Sequence, residues 1–440
     1  MTVMLRRFVF ATIVAVLCPG AQAAAPASAR NMALVGMHDL AGRSAYQPVI
    51  AQQGARWIAY IGHHAGAALD PLTRRGAENG TSILDVTDPR SPWLLAHIPG
   101  ARGGAQMVRV CGNLPHGRAG GFYLLRTLGH SAHEVWDVTN PAKPMPVTTL
   151  GGLEGTHKNW WECDTGIAYL VSGVPGWRAS RMMQIYDLSD PAHPRHIRDF
   201  GLPGQQPGAR GPVPTGLHGP ISTGPAGNRV YMGYGVNRDG VMQILDRARL
   251  LAGPFDPTEA NLLKPQISRY DLPQDYGAHT ALPLLGVNTP DGVRDFVLVV
   301  NEAVAPGCAE TRQKVWVFDV TDERKPRPVA DFDVPDQPGG FCGRPGRFGA
   351  HASNEDQPPV FAKRLVFFSW FNAGVRAVDI RDPRRPREVG YYIPASRGGT
   401  VETNNVEVDE RGFVYVVDRG SAGLDILELT GEARALMRAP

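Results

Sequence analysis

Asp85-Val86-Thr87-Asp88-Pro89-Arg90-Ser91-Pro92 follows the strand-forming residues Ser82-Ile83-Leu84 and ends them. Proline cannot donate to a sheet ladder, and Asp and Thr side chains bond to nearby backbone, so this stretch terminates a strand and turns the chain. The same string returns as Asp137-Val138-Thr139-Asn140-Pro141 with Pro144, and as Asp187-Leu188-Ser189-Asp190-Pro191 with Pro194. Asp379-Ile380-Arg381-Asp382-Pro383 with Pro386 is also complete. Asp319-Val320-Thr321-Asp322 with Pro326 lacks the first proline, and Ile244-Leu245-Asp246 and Ile426-Leu427-Glu428 are degenerate copies. Seven copies, roughly 50 to 70 residues apart, mark a repeat architecture.

Each copy is flanked by further strand-forming runs, such as residues 296–300 before and 329–332 after the fifth. Four strands per unit and seven units predict an all-β fold, a seven-bladed β-propeller. The last unit supplies only three strands, at 404–408, 413–417 and 424–429. Residues 32–35 form an orphan strand that is expected to complete the last blade and remove the open edges of the ring. The expected organisation is a leader at 1–23 and a single propeller domain over 24–440.

Composition agrees with a globular β protein. Of 440 residues, 43% are hydrophobic and 20% charged, which excludes a disordered chain. Lys+Arg 45 against Asp+Glu 42 leaves a formal charge of +3, too balanced for a nucleic-acid binder. Gly 51 and Pro 38 leave little room for long helices. There is no Gly-x-Ser-x-Gly, P-loop or dinucleotide fingerprint.

Residues 1–23 read as an export signal: Arg6 and Arg7, an apolar run at 9–17 too short to span a bilayer, and Ala21-Gln22-Ala23 before the cut. Arg6-Arg7-Phe8-Val9-Phe10 also fits a twin-arginine signal, so both export routes stay open. No other run is long enough for a membrane helix, and a periplasmic or secreted protein is expected. Removal of the leader takes Cys18 and leaves Cys111, Cys163, Cys308 and Cys342, an even number with three possible connectivities. In the propeller frame Cys308 and Cys342 fall in loops of one face, and Cys111 and Cys163 fall late in the first strands of adjacent blades. The expected disulfides are therefore Cys308 with Cys342 and Cys111 with Cys163.

The repeated turn resembles that of the LVIVD-repeat family of exported bacterial propellers, and the resemblance extends over nearly all of the chain after the leader. The strand before the turn reads Ile-Leu-Asp, Val-Trp-Asp, Ile-Tyr-Asp or Val-Phe-Asp, so the namesake string is only approximate. The resemblance implies a propeller in an exported protein. It carries no settled activity and no functional residues.

The propeller frame sorts the histidines. His157, His218, His279 and His351 each follow Gly-x, in Gly155-Thr156, Gly216-Leu217, Gly277-Ala278 and Gly349-Ala350. All four open the first strands of blades three to six, on the face here called the top, and are expected to converge on the axis. Neutral imidazole is the commonest ligand for Cu, Fe or Zn, so the quartet is a candidate site for one such ion. His63, His64, His130 and His133 map to top loops of blades one and two. With Glu154 and Glu302 they are candidate further ligands or orienting groups. Carotenoid-cleaving oxygenases and methanethiol oxidases of the selenium-binding-protein type are propellers that use histidines in this way, an analogy of fold alone. The competing reading is structural: in WD-type propellers a Gly-His step hydrogen-bonds within its own blade.

Two functions follow. One is an exported metal-dependent oxidoreductase or oxygenase. The other is a non-enzymatic scaffold whose top face binds a small molecule or a protein. Neither calls for nucleic acid or a membrane span.

Overall fold

The computed structural model describes residues 28–397, 399–420 and 422–437. Seven small antiparallel sheets follow one another around a ring, giving the seven-bladed β-propeller expected from the repeat. The export signal read at 1–23 lies outside the described residues. Among them, no helix is long and apolar enough to cross a membrane.

The signature turn works by side-chain capping. Asp85 Oδ1 accepts the Thr87 N–H at 2.9 Å, and Asp88 Oδ1 accepts the Arg90 N–H at 3.0 Å. Thr87 Oγ1 reaches across to accept the Trp57 N–H at 3.0 Å, tying the turn to the neighbouring strand Arg56–His64. Blade two repeats the scheme, with Asp137 on Thr139 N–H and Thr139 on Phe122 N–H. Blade five does the same with Asp319, Thr321 and Asp295 N–H. Each bond satisfies a backbone donor that the ladder leaves open, which is why the residue types recur at these offsets.

A second regularity sits beside the turn. The pairing of third with fourth strand slips by one residue between Ile83/Leu84, Val135/Trp136, Ile185/Tyr186, Ile244/Leu245, Val317/Phe318 and Ala377/Val378. The last blade has the same bulge, with Leu34 opposite Leu427 and Gly36 opposite Ile426. The degenerate copies at Ile244 and Ile426 are thus true members of the repeat. A bulge bends and twists the strand, as the rim of a blade requires.

The ring closes as expected. Met32–His38 pairs with Leu424–Leu429 as the outer strand of blade seven. One strand was not anticipated: Ser28–Arg30 adds to the rim of blade six against Arg387–Ile393. The N-terminal segment therefore clasps two blades. A short C-terminal helix, Gly431–Met437, was also unforeseen; its Ala433 and Leu436 pack on the core of the closing blade.

Blade six departs from the expected four strands in another way. Its innermost segment makes only an isolated bridge, Ser353 to Phe368. Side chains replace part of the ladder there: Asn354 Oδ1 accepts the Phe367 N–H at 2.8 Å, and Ser369 Oγ accepts the Ala352 N–H at 3.1 Å. Blade four exchanges the Asp-Pro turn for two helices, Arg247–Ala252 and Glu259–Leu263. Blade one carries an added hairpin, Ala67–Asp70 with Arg75–Glu78.

Two cysteine pairs stand at disulfide distance. Cys111 and Cys163 have Cα atoms 5.1 Å apart, and Cys308 and Cys342 5.2 Å. These are the pairings named from the sequence.

Deleting residues 28–38 should expose the edges of Leu424–Leu429 and Arg387–Ile393. We expect a broadened, lower thermal transition and concentration-dependent association in size-exclusion chromatography, because open strand edges template pairing. Replacing Cys111 and Cys163 together by Ala frees a 52-residue loop in the unfolded chain and should cost about 2–4 kcal/mol, read from the denaturant midpoint.

Candidate metal centre

Each Gly-x-His places its imidazole at the top of an innermost strand. His157 N–H bonds to Val171 O at 3.0 Å, His279 N–H to Val300 O at 2.8 Å, and His351 N–H to Ser369 O at 3.0 Å, each reaching the end of its neighbouring strand. His218 lies in Leu217–Ser222, where the pairing bulges between Leu217 and Gly219. The glycines serve packing. A Cβ on Gly277 would stand 1.9 Å from the Val236 carbonyl oxygen, and Gly155 has φ +57° with the Ser180 carbonyl close by.

The four imidazoles form one buried cluster. Ring centroids are 4.4 Å apart for His157 and His218, 3.9 Å for His218 and His279, and 4.5 Å for His279 and His351. Glu302 stands among them. Its Oε2 lies 3.8 Å from His218 Nε2 and 3.9 Å from His279 Nε2, and its Oε1 lies 3.6 Å from His351 Nε2. His218, His279 and Glu302 offer ligand atoms all within 4.8 Å of one another. Nitrogens 2.0–2.1 Å from a tetrahedral ion stand roughly 3.4 Å from each other, so these separations are compatible with ligands of one ion.

Glu302 is positioned by its neighbour. Asn301 is anchored through its side chain to the Gly277 carbonyl and the Trp316 indole N–H, while Glu302 N–H bonds to Val236 O of the preceding blade. Burial raises the Glu302 carboxyl above its ordinary range, opposed by Arg419, Arg347, Arg181 and Lys158.

Outer bonds set the tautomers. His351 Nδ1 bonds to the Asn404 carbonyl oxygen and His157 Nδ1 to Gln106 Oε1 at 3.0 Å. Both acceptors lack a proton, so Nδ1 carries the hydrogen and Nε2 presents a lone pair. His279 Nδ1 meets Thr280 Oγ1 at 2.9 Å. The Nε2 atoms of His279 and His351 are buried and have no hydrogen-bond partner among the described residues. His157 Nε2 faces His218 Nε2 at 2.9 Å and Tyr46 Oη at 3.4 Å. Burial first, then nearby cations and rings, holds all four imidazoles well below their usual pKa, in the neutral form that binds metal.

Of the other residues proposed from sequence, His64 reaches this region. It ends the strand Arg56–His64, packs edge-on to Tyr46 at 5.0 Å, and accepts a 2.8 Å bond from Arg419 Nε. Its neighbour His63 points the other way, because successive side chains alternate across a strand. His63 bonds within its own blade to Ser82 Oγ at 2.8 Å. His133 is buried in the third strand of blade two, Ala132–Asp137, rather than in a loop, and His130 is exposed. Glu154 is exposed at an isolated bridge with Gly173 and does not join the cluster.

Several further residues neighbour the cluster. Tyr46, Arg181, Arg347 and Arg419 surround it on the top side. Below it, Lys158 is wholly buried, with Nζ 3.0 Å from Glu355 Oε1 and 3.4 Å from Thr280 Oγ1. Burial, with Arg109 nearby, pulls the Lys158 ammonium down to about 7. Arg109 pairs with the same Glu355. Glu355 in turn borders an apolar cavity at the far mouth, lined by Trp160, Ile221, Leu282 and Leu284. A hydrogen-bonded line thus runs from His279 through Thr280 and Lys158 to the opposite face.

No protein family matches the chain, and no curated protein matches it. The LVIVD-repeat resemblance therefore rests on the repeated turn alone.

Lys158→Ala removes one partner of a buried carboxylate. The expected loss is about 3–5 kcal/mol of stability, read by chemical denaturation, because among the described residues Glu355 then keeps Arg109 alone as its ion-pair partner.

Proposed function

We propose that this protein is an exported metalloenzyme that holds one Cu, Fe or Zn ion at the top of its channel. His218, His279, His351 and Glu302 are the ligands, with His157 beside them, and the reaction is that of an oxidoreductase or oxygenase. The observation that carries the reading is the pair of buried Nε2 atoms, on His279 and His351, that find no partner and face one carboxylate. A buried polar atom left unpaired costs about 1–3 kcal/mol, and a bound ion would satisfy both. Three imidazoles and a carboxylate suit first-row transition metals, and fixed outer bonds on His351 and His157 are what such ligands need. A bound ion of this kind supplies Lewis-acid or redox chemistry. Burial of the centre, with Tyr46 and Phe371 walling it, keeps bulk water away from that chemistry.

Export is supported by the two cysteine pairs and by the leader pattern at 1–23. The second reading, a binding scaffold with structural histidines, draws on the bonds that tie three of the rings to the protein.

Elemental analysis of the purified protein separates them. About one transition-metal ion per chain is expected. His279→Ala should abolish that content while the far-UV spectrum persists, because the ladders do not involve its ring. Glu302→Gln should weaken the ion by at least about tenfold. Wild-type protein that takes up none of Cu, Fe or Zn, or a His279→Ala variant that keeps its full load, would make the scaffold the correct reading.

A further inference from the structure

We propose that the molecule handled at this centre is a small organic anion, its carboxylate gripped by Arg181 and Arg419 above the imidazole cluster. The inference deepens the metal-centre reading and rests on it for calling the anion a substrate. The anion site itself is made of arginines.

Three guanidinium groups crowd the top of the channel, and only one is fully engaged. Arg347 makes a two-pronged pair with Glu402, at 2.9 and 3.1 Å, stacks 3.8 Å above the Phe371 ring, and lies 3.7 Å from Glu302 Oε1. Arg419 spends its Nε on His64 at 2.8 Å, and its guanidinium has no carboxylate within ion-pair distance among the described residues. Arg181 is half-buried and makes no side-chain hydrogen bond or ion pair among the described residues.

Backbone bonds fix both residues beside the cluster. The Arg181 carbonyl accepts the Leu217 N–H at 3.0 Å, which pins Arg181 beside His218. Arg419 N–H bonds to the Glu402 carbonyl at 2.8 Å, and its guanidinium carbon lies 6.0 Å from the Tyr46 ring and 6.0 Å from the Phe371 ring. Tyr46 in turn touches His157, and Phe371 packs 4.8 Å from His351.

The charge balance requires a partner. Glu302 and Glu402 are the carboxylates that face the three arginines. Asp418, the other acid nearby, is taken up by the backbone N–H groups of Glu402 at 2.7 Å and Ala422 at 3.1 Å. Three guanidinium groups against these two carboxylates leave the collar with excess positive charge. A guanidinium with open donors is matched by a planar carboxylate, which accepts two bonds at a time. Tyr46 and Phe371, both buried, wall this end of the channel.

The test is calorimetric titration of oxalate at low chloride into the full-length protein, once metal-loaded and once stripped by chelator. Saturable binding is expected in both forms and tighter with metal. Arg181→Gln and Arg419→Gln should each weaken oxalate at least about tenfold with no change in metal content, since neither side chain is a ligand. Arg181→Lys and Arg419→Lys, which keep the charge, should recover part of the loss and guard against a folding defect. The proposal is overturned if the double Gln variant binds oxalate like the parent, or if the parent binds none at about 10 mM in either form. Preference for inorganic phosphate over oxalate also overturns it. A chain that takes up no metal but binds oxalate through these arginines retains the anion site and loses the metal reading. A metal-loaded chain that ignores oxalate does the reverse.

Discussion

Closure of the ring is the constraint on which everything else here depends. Met32–His38, from the start of the described chain, must pair with Leu424–Leu429 near its end before seven blades share one axis. Until then the innermost strands have no common radius. After it, imidazoles separated by some sixty residues of sequence are brought to ring distances of 3.9 to 4.5 Å. Register matters as much as closure. A slip of one residue would turn His64 away from the axis and His63 toward it, since side chains alternate along a strand. The bulge shared by every blade keeps that register while letting the outer strand bend.

The axis is organised by charge in layers. Arginines collar the top, neutral imidazoles surround one carboxylate beneath them, and Lys158, Arg109 and Glu355 form a wholly buried group below. Glu407 belongs to that lower group and accepts the backbone N–H groups of Glu355 at 2.7 Å and Asp356 at 3.1 Å. Burial drives the Glu407 and Asp356 carboxyls upward. So many polar groups in a protein interior contribute little net stability, because desolvation offsets their attraction. The Gly-x-His step serves two ends at once: its glycine lets the loop of a neighbouring blade pack close, and its histidine faces inward.

The repeat was legible because its causes are local. The Asp, Thr and second Asp of each turn cap backbone donors within a few residues or on the adjacent strand, so the pattern must recur wherever the turn does. Seven copies and a three-strand final unit then imply the propeller and its closure by the N-terminal strand. The Gly-x-His quartet was legible for the same reason: it occupies one repeated position. Ser28–Arg30 was not, because its partner Arg387–Ile393 already had a complete signature and nothing in a three-residue strand announces a rim.

The sequence by itself determined the blade count, the closing strand, the cysteine pairing and the level at which four histidines stand. Those follow from repeated local hydrogen bonds and from alternation along strands. Only the tertiary structure decided which acid joins the histidines and which of two adjacent histidines faces the channel. Glu302 and Glu154 are equivalent as text. They differ because Asn301 and the Val236 carbonyl hold one inward, whereas the other lies exposed at a bridge to Gly173. Arg181 and Arg419 lie in loops between second and third strands of blades three and seven, Arg347 in the loop leading into blade six, and Lys158 beside His157. Their convergence depends on contacts between blades, which no short-range pattern records.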